Sequence, residues 1–423
     1  MIIAYNLLLC LIYPLLWLVA RFHKRLGENF RLRAQWPDFS AARGKKHIWF
    51  HASSAGEFEQ VRAVALEMRK KRKDLFFSFS YFSDSAYRAK KTDSIHDLFF
   101  ALPFDFPWRM RRLVIAMQPD ALIIGKYDAW PNQVMAAQRA GVPVYLVSAT
   151  LPAKSARYKW PLKSLMHKVY APMRQIFAIN EEHAARLRMI SRLNVSVAGD
   201  TRFDAIVARL GEAASRRAEV DRIKKIFAGK TLLVAGSTYA ASEKMIAEYL
   251  GKSPRIAKKL VGAIVAPHHI RAEKIAALEA VCTKHNLSVA RFSQWGKSGS
   301  AKKPDVLIID SLGLLPLLYP LGDVAYVGGG FEGSVHSVIE ATLAGAPTIT
   351  GPHITNSAEA IDLQKLGLLQ VMREPDAQRF GTLVENLCKT KTTLSKKMRK
   401  FAGERLGASR RIMHTVMDDI FTE

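Results

Sequence analysis

The sequence predicts an α/β protein of two doubly wound halves behind an apolar N-terminal helix, and three observations carry that prediction. Short apolar runs ending in small or polar turns recur along the chain, separated by segments long enough for helices, which is the alternation of a parallel sheet covered on both faces. At 423 residues the chain exceeds what one hydrophobic core usually fills, so two domains are expected. Met1 to Ala20 is almost wholly apolar, with Asn6 its only strongly polar residue.

A helix of about 20 residues is long enough to cross the hydrocarbon core. Arg21, His23, Lys24 and Arg25 follow the apolar run at once, and neither a basic leader nor a small-residue cleavage site precedes them, so the segment reads as an anchor rather than a signal peptide. The basic flank stays on the cytoplasmic side, which would place the bulk of the protein in the cytoplasm. Pro14 keeps a second reading open, an interfacial helix lying in one leaflet. The formal net charge of +26 asks for an acidic partner: nucleic acid, an anionic bilayer or phosphorylated substrates. Cys10, Cys282 and Cys388 form no CxxC pair, so neither a disulfide framework nor a zinc site is expected, and a reducing compartment fits.

In the first half, the run Ile48 to Phe50 leads into HASSAGEFEQ and then a helical pattern from Val61 to Lys73. Glu57 stands at that helix start, where it either caps or reacts. Phe76 to Phe82, Leu98 to Leu102, Ala121 to Ile124, Val142 to Val147 and Gln175 to Ile179 supply further strands. GKYDAWPN, Gly125 to Asn132, lies at a strand's carboxyl end, where α/β ligands bind, and puts Lys126 and Asp128 there. Lys154 to Lys168 mixes five lysines and arginines with Tyr158 and Trp160, a solvated face or a surface for lipid headgroups.

The polar, basic stretch from Gly211 to Lys230 reads as the linker, giving divisions at 1–22, 23–212, 213–405 and a C-terminal helix at 406–423. In the second half Leu232 to Ala235 leads into GSTYAASEK, Ile264 to Pro267 into His268 and His269, and Val306 to Asp310 into SLGLLPLLYP. Val324 to Val327 then opens GGGFEGSVHSVIEATLAGAPTITGPHITNSAE, where Gly328, Gly329 and Gly330 permit a tight turn and close approach of backbone N–H groups to an anion. A helix from near Ser337 would aim its positive end at the same place and set His336 and Glu340 on one face, with Asn356 and Glu359 closing the far side. His268 and His269 lack a further ligand at metal spacing and read as hydrogen-bonding or charge-pairing groups. Strand tips of this kind are expected to converge on one nucleotide-sugar site.

These pieces, in their order, resemble the 3-deoxy-D-manno-octulosonic acid (Kdo) transferases of lipopolysaccharide assembly. The matching elements are the N-terminal anchor, HASSAGE, PFD at Pro103 to Asp105, WPN at Trp130 to Asn132, GDTRFD at Gly199 to Asp204, AGST at Ala235 to Thr238, APHH, DSLGLLPLLY and the block from Gly328 to Glu359. The resemblance implies two Rossmann-like domains of the GT-B type, an acceptor-binding one followed by a CMP-sugar-binding one. It implies inverting transfer of Kdo from CMP-Kdo to the acylated lipid A precursor at the inner membrane, with no cofactor and no catalytic metal. Glu57 matches the family's proposed general base, and one positioned carboxylate suits deprotonation of an attacking hydroxyl. The family's donor-binding positions fall on Ser237, Thr238, His268, Gly313, Gly329, Gly330, Glu340 and Asn356, and Arg202 matches a basic position able to pair with the phosphate or the Kdo carboxylate. Ser54, Gly56, Lys126 and Asp128 fall on the acceptor side, with Lys126, Tyr127 and Asp128 standing where many members carry E-T-E, and Val335, His336 and Ser337 where many carry glycine-histidine-asparagine.

Two other readings use the same residues. A GT-B transferase or sugar-nucleotide epimerase with a uridine or guanosine donor would share the glycine turn. A non-enzymatic basic module would bind membrane or nucleic acid through charge alone, but the basic residues are spread along the chain without a nucleic-acid fold signature, so no nucleic-acid partner is expected.

Overall fold

The computed structural model describes residues 1–83, 86–87, 91–191, 194–295 and 303–422. They form two compact units, one of Met1–Ala205 with Arg405–Glu423, the other of Ile206–Glu404. Each is built on a seven-stranded, wholly parallel sheet.

In the first unit the strands are β1 (His47–Ala52), β2 (Phe76–Tyr81), β3 (Leu98–Ala101), β4 (Ala121–Gly125), β5 (Val144–Ala149), β6 (Gln175–Ala178) and β7 (Val195–Val197). Their order is β3-β2-β1-β4-β5-β6-β7, so the winding reverses between β1 and β4. Helices α1 (Ile2–Phe22) and α2 (Lys24–Ala34) come first, then α3 (Ala55–Lys71), α4 (Pro107–Met117), α5 (Pro131–Arg139), α6 (Leu162–Tyr170) and α7 (Glu181–Arg188). β1, β2, β4 and β5 are buried throughout, which is why they read as near-continuous apolar runs instead of alternating ones. One sheet face packs Trp49, Leu122, Ile124 and Leu146 against Met110, Leu113, Val134 and Val169 of α4, α5 and α6. The other packs Ile48, Phe50, Phe77 and Ile123 against Phe58, Val61 and Met68 of α3.

The second unit has β8 (Thr231–Thr238), β9 (Val261–Pro267), β10 (Val289–Arg291), β11 (Val306–Ile308), β12 (Val324–Val327), β13 (Thr348–Thr350) and β14 (Leu369–Val371) in the order β10-β11-β9-β8-β12-β13-β14. Here the winding reverses between β8 and β12. Helices α8 (Thr201–Glu212) and α9 (Arg217–Ile226) lead into it, followed by α10 (Ala240–Lys252), α11 (Ala272–Lys284), α12 (Ile339–Ala344), α13 (Ala358–Lys365) and α14 (Ala377–Gly403). Leu233, Val265, Ile308 and Tyr326 of the sheet pack on Met245, Tyr249, Leu278 and Phe380.

Three expectations differ from the structure. The stretch 211–230, expected as a linker, is largely helical: Ile223 and Ile226 bury one side of α9, and Arg216 pairs with Glu219 at its start. The last helix, α15 (Ala408–Phe421), is no separate appendage. Ile412, Val416 and Ile420 enter the α3 side of the first core, the Asp204 carboxylate accepts from the backbone N–H groups of Gly407 and Ser409, and Asp419 accepts from Tyr145 and Arg174. Finally, the helix expected from Ser337 begins at Ile339 and has only six residues, so His336 and Glu340 do not share a helical face.

Candidate active site

In doubly wound sheets ligands bind beyond the strand carboxyl ends where the winding reverses. In the first unit that point brings together the turn after β1 and the turn after β4. Ser54 is the N-cap of α3, and the S-x-x-E spacing produces a capping box: Ser54 Oγ accepts from the Glu57 N–H at 3.3 Å, while Glu57 Oε2 accepts from the N–H groups of Ser53 and Ser54 at 3.0 and 3.1 Å. Glu57 is therefore a cap, as its bland reading required, and Oε2 is the oxygen the two N–H groups hold. Gly56, beside it, is exposed.

β4 ends at Gly125, where a methyl group would sit 3.3 Å from both the Glu57 carbonyl oxygen and Val61 Cγ1, so the two turns close on each other. Lys126 follows with φ of 63°, a strained left-handed conformation for a residue with a side chain. Burial pushes the Glu57 carboxyl above its ordinary range; the nearby Asp128 carboxylate adds to the rise and Lys126 opposes it. Asp128 is also raised by burial, against the Ser53 hydroxyl, Arg157 and Lys126. Arg157 lies 4.7 Å from the centre of the Tyr127 ring and Lys126 lies 4.9 Å from it. His51, close in sequence, is not an acid or base at neutral pH: it is fully buried, bonded to Ser80 Oγ at 2.8 Å, and burial pushes it down to about 3.

The PFD and WPN elements prove to be partners. Asp105 accepts from the first two N–H groups of α5, those of Asn132 and Gln133, and from the Tyr5 hydroxyl at 2.9 Å; burial raises its carboxyl to about 7. Trp130 stacks on Phe82 at 4.5 Å. Arg202 stands at the start of α8 in the first unit, held by two bonds to the buried Asp200.

In the second unit the reversal lies between β8 and β12, and the carboxyl ends of β11, β9, β8, β12 and β13 carry Gly313, His268, Ser237 with Thr238, Gly328 to Gly330, and Gly351 along one edge. The glycines serve first as packing. A methyl at Gly328 would lie 2.0 Å from the Ser237 carbonyl oxygen, and one at Gly330 would lie 2.7 to 2.8 Å from the backbone of Gly351. The Gly328 N–H is taken by the Gly236 carbonyl and the Glu332 N–H by the Gly329 carbonyl, while burial raises the Glu332 carboxyl against the pull of the neighbouring backbone. Asn356 Nδ2 donates to the Val335 carbonyl at 3.0 Å and ties the second loop to the glycine loop. Thr238 donates to Glu243 at 2.9 Å. Glu340 pairs with Arg209 at 3.2 Å and is raised by burial against that arginine. Gly313 sits in a turn next to Arg216, whose Nη1 donates to the Leu312 carbonyl.

Beside the glycine loop His336 stacks on His268 at 4.4 Å and on Tyr239 at 5.8 Å, accepts or donates a 3.0 Å bond with the Tyr239 hydroxyl, and His269 lies 4.6 Å from His268. Burial and mutual repulsion push His268 down, and burial and His269 do the same to His336. Such a cluster gains a partner when a phosphate or carboxylate arrives. Among the described residues no group of three or more His, Cys, Asp or Glu is placed to hold a metal. Tyr239, Ser53, Arg157 and Glu332 escaped sequence reading. Tyr239 directly follows the GST turn and Ser53 directly precedes Ser54, while Arg157 and Glu332 carry no local signal.

Residues 21–205 match a family model described as 3-deoxy-D-manno-octulosonic-acid transferase (kdotransferase). A 3-deoxy-D-manno-octulosonic acid transferase of Bordetella pertussis is 27% identical over 98% of each chain. The chain is similar to the Kdo transferases over nearly its whole length. A second family member, from Chlamydophila psittaci, is 26% identical over 74% of this chain and 70% of its own. Among solved structures, a UDP-GlcNAc 2-epimerase from Neisseria meningitidis bound to UDP-GlcNAc superposes with a TM-score of 0.62 at 14% identity, over 88% of this chain and 99% of that one, a likeness of fold. Two seven-stranded parallel sheets with their helices are the GT-B architecture expected of a Kdo transferase, and the apolar α1 stands ahead of the matched segment.

Proposed function

We propose that the protein moves Kdo from CMP-Kdo onto an acylated, phosphorylated lipid A precursor, with inversion and with Glu57 as the general base. The observation that carries the chemistry is a positioned carboxylate: Oε2 is fixed by two backbone N–H groups while burial and Asp128 raise its basicity. In the proposed step the acceptor hydroxyl oxygen bonds to the anomeric carbon of Kdo, its proton passes to Glu57, and the bond from that carbon to the phosphate oxygen breaks to release CMP. Lys126 and Arg157 supply positive charge for a phosphorylated acceptor beside Glu57. Ser237, Thr238, Gly329, Gly330 and Asn356 shape the nucleotide seat, and His268 and His336 face the anionic donor.

Two residues take changed roles in this proposal. Glu340 contacts the ribose only if it gives up Arg209, and Glu332, whose carboxyl burial raises beside the glycine loop, makes way for the donor phosphate. The chain acts at the cytoplasmic face of the inner membrane, through α1 and its positive charge, and needs no cofactor. Protection from thermal unfolding tests the donor: CMP raises the melting temperature by mass action and UDP or GDP does not. Stabilisation by UDP without CMP would transfer the assignment to the uridine-donor reading, which the epimerase-like fold keeps as the alternative.

A further inference from the structure

The apolar helix α1 does not stand free of the protein. Tyr5 donates to Asp105 at 2.9 Å, Asn6 accepts from Asn132 at 2.7 Å, Tyr13 packs on Phe30, Phe104 and Phe106 at 5.1 to 5.6 Å, and Ala20 is buried, with its carbonyl against Gly27. These contacts span positions 5 to 20, about 22 Å of helix at 1.5 Å per residue. Away from these contacts the helix is apolar and exposed: Ile3, Leu7, Leu11, Leu15, Leu18 and Phe22 line the side opposite them, flanked by Leu8, Ile12 and Val19, with Leu11 70% and Phe22 86% exposed. A helix crossing the bilayer would carry the body strapped along it into the hydrocarbon, together with the Arg109 guanidinium beside Tyr13, and a charge at that depth is costly.

We propose that α1 lies in the plane of one leaflet as an integral face of the first unit, its outer stripe immersed in acyl chains, and that the leaflet is anionic. The surroundings argue for the charge. Next to Asn132 a groove of about 790 Å³ between α4 and α5 is lined by Trp108, Arg111, Arg112, Ile115 and Arg139, with Trp108 and Ile115 each 59% exposed. Apolar and aromatic side chains beside three arginines match the boundary between acyl chains and phosphate headgroups. At the other end of α1, Arg21 lies over the Trp17 ring at 4.3 Å, an amphipathic pair suited to the same depth. The surface also leads to the site. Arg33 of α2 donates to the carbonyls of Phe82 and Leu102, and Phe82 stacks on Trp130, two residues from Asp128. On the transferase reading, an amphiphilic acceptor reaches Glu57 without leaving its leaflet.

The orientation is tested apart from any sugar transfer. Nitroxides are placed singly at Ile3→Cys, Leu11→Cys, Leu18→Cys and Phe22→Cys in the full chain lacking Cys10 and Cys388, all positions whose side chains face away from the fold. On vesicles of phosphatidylglycerol and phosphatidylcholine, the power-saturation depth of all four agrees to within a few ångströms, at roughly 5–10 Å below the headgroups. Depths that progress along the helix at about 1.5 Å per residue and pass the midplane would overturn the proposal in favour of a crossing, and labels that stay in water would overturn membrane docking altogether. With Arg111, Arg112 and Arg139 all changed to Gln, partitioning onto phosphatidylglycerol vesicles falls on the order of 100-fold while weak binding to neutral vesicles is unchanged. Unchanged partitioning onto the anionic vesicles would remove the groove from the surface. Loss of transfer activity in the same preparations would count against the enzymatic reading and leave the depth result standing.

Discussion

Glu57→Gln separates the observed cap from the proposed general base. The glutamine carbonyl oxygen can accept from the Ser53 and Ser54 N–H groups as Oε2 does, so the capping box survives. Exchanging charge-assisted bonds for neutral ones costs about 1 kcal/mol per bond at most, and relief of a buried, raised carboxylate offsets part of it. In a chain of this length that corresponds to a melting shift of about 2 °C or less. The amide cannot accept the hydroxyl proton. Losing a general base lowers turnover by about 10²- to 10⁴-fold, or about 2.7 to 5.5 kcal/mol in the barrier. The assay is steady-state release of CMP from CMP-Kdo with the lipid acceptor, run beside thermal unfolding. Glu57→Ala serves as the companion, since it removes base and cap together and adds a stability loss of about 1 kcal/mol. If Glu57 only caps, Gln retains transfer and Ala loses stability and activity together; transfer by Gln within tenfold of the parent refutes the general-base role.

The other predictions follow from neighbouring groups. As the proposed base Glu57 must be ionised, so activity is expected to rise with pH through its raised pKa; Asp128→Asn moves that acid limb to lower pH and Lys126→Met moves it to higher pH, read from kcat/KM profiles. In the proposed donor site, CMP binding beside His268 and His336 is expected to be linked to proton uptake, because an anion raises the pKa values that burial and crowding depress. Its Kd therefore tightens as pH falls, and His336→Asn flattens that slope in titration calorimetry. Asp105 is raised from 3.8 to about 7, mainly by burial, so its favourable contribution is complete at acid pH and declines as pH rises toward 7. Asp105→Asn flattens that part of the unfolding-versus-pH curve. Gly328→Ala places a methyl 2.0 Å from a backbone oxygen that cannot move aside, and it lowers stability by more than the ~1–3 kcal/mol of ordinary overpacking.

Much of the fold was legible because its central strands are buried on both faces. Runs such as IWF, ALII and VAYV are apolar without alternation, and each is followed by a turn of small or polar residues. β7, β10, β13 and β14 were not legible, since three residues carry no period and only their pairing with a neighbour defines them. The basic run 211–230 misled for a different reason: its charge masked the spacing of Ile223 and Ile226, which bury one side of α9.

At the site, the strand, small-residue turn and helix pattern around HASSAGEFEQ showed that Glu57 would stand at a helix start, and the strand-end position of GKYDAWPN showed where Lys126 and Asp128 would lie. What sequence could not show were contacts made by distant chain. Arg209 reaches Glu340, Tyr239 reaches His336, and the close approach of β8 and β12 turns Gly328 from a ligand cradle into a packing requirement. The strapping of α1 by Asp105 and Asn132 was equally hidden, because hydropathy alone treats an apolar helix of 21 residues as a spanning one.

The most direct test of the central claim is incubation of the full chain, in anionic vesicles, with CMP-Kdo and the acylated disaccharide precursor of lipid A, followed by mass spectrometry of the lipid. The account predicts lipid heavier by whole Kdo residues with matching release of CMP, and neither product from Glu57→Gln. Unmodified lipid beside intact CMP-Kdo, or consumption of a uridine sugar in its place, would contradict it.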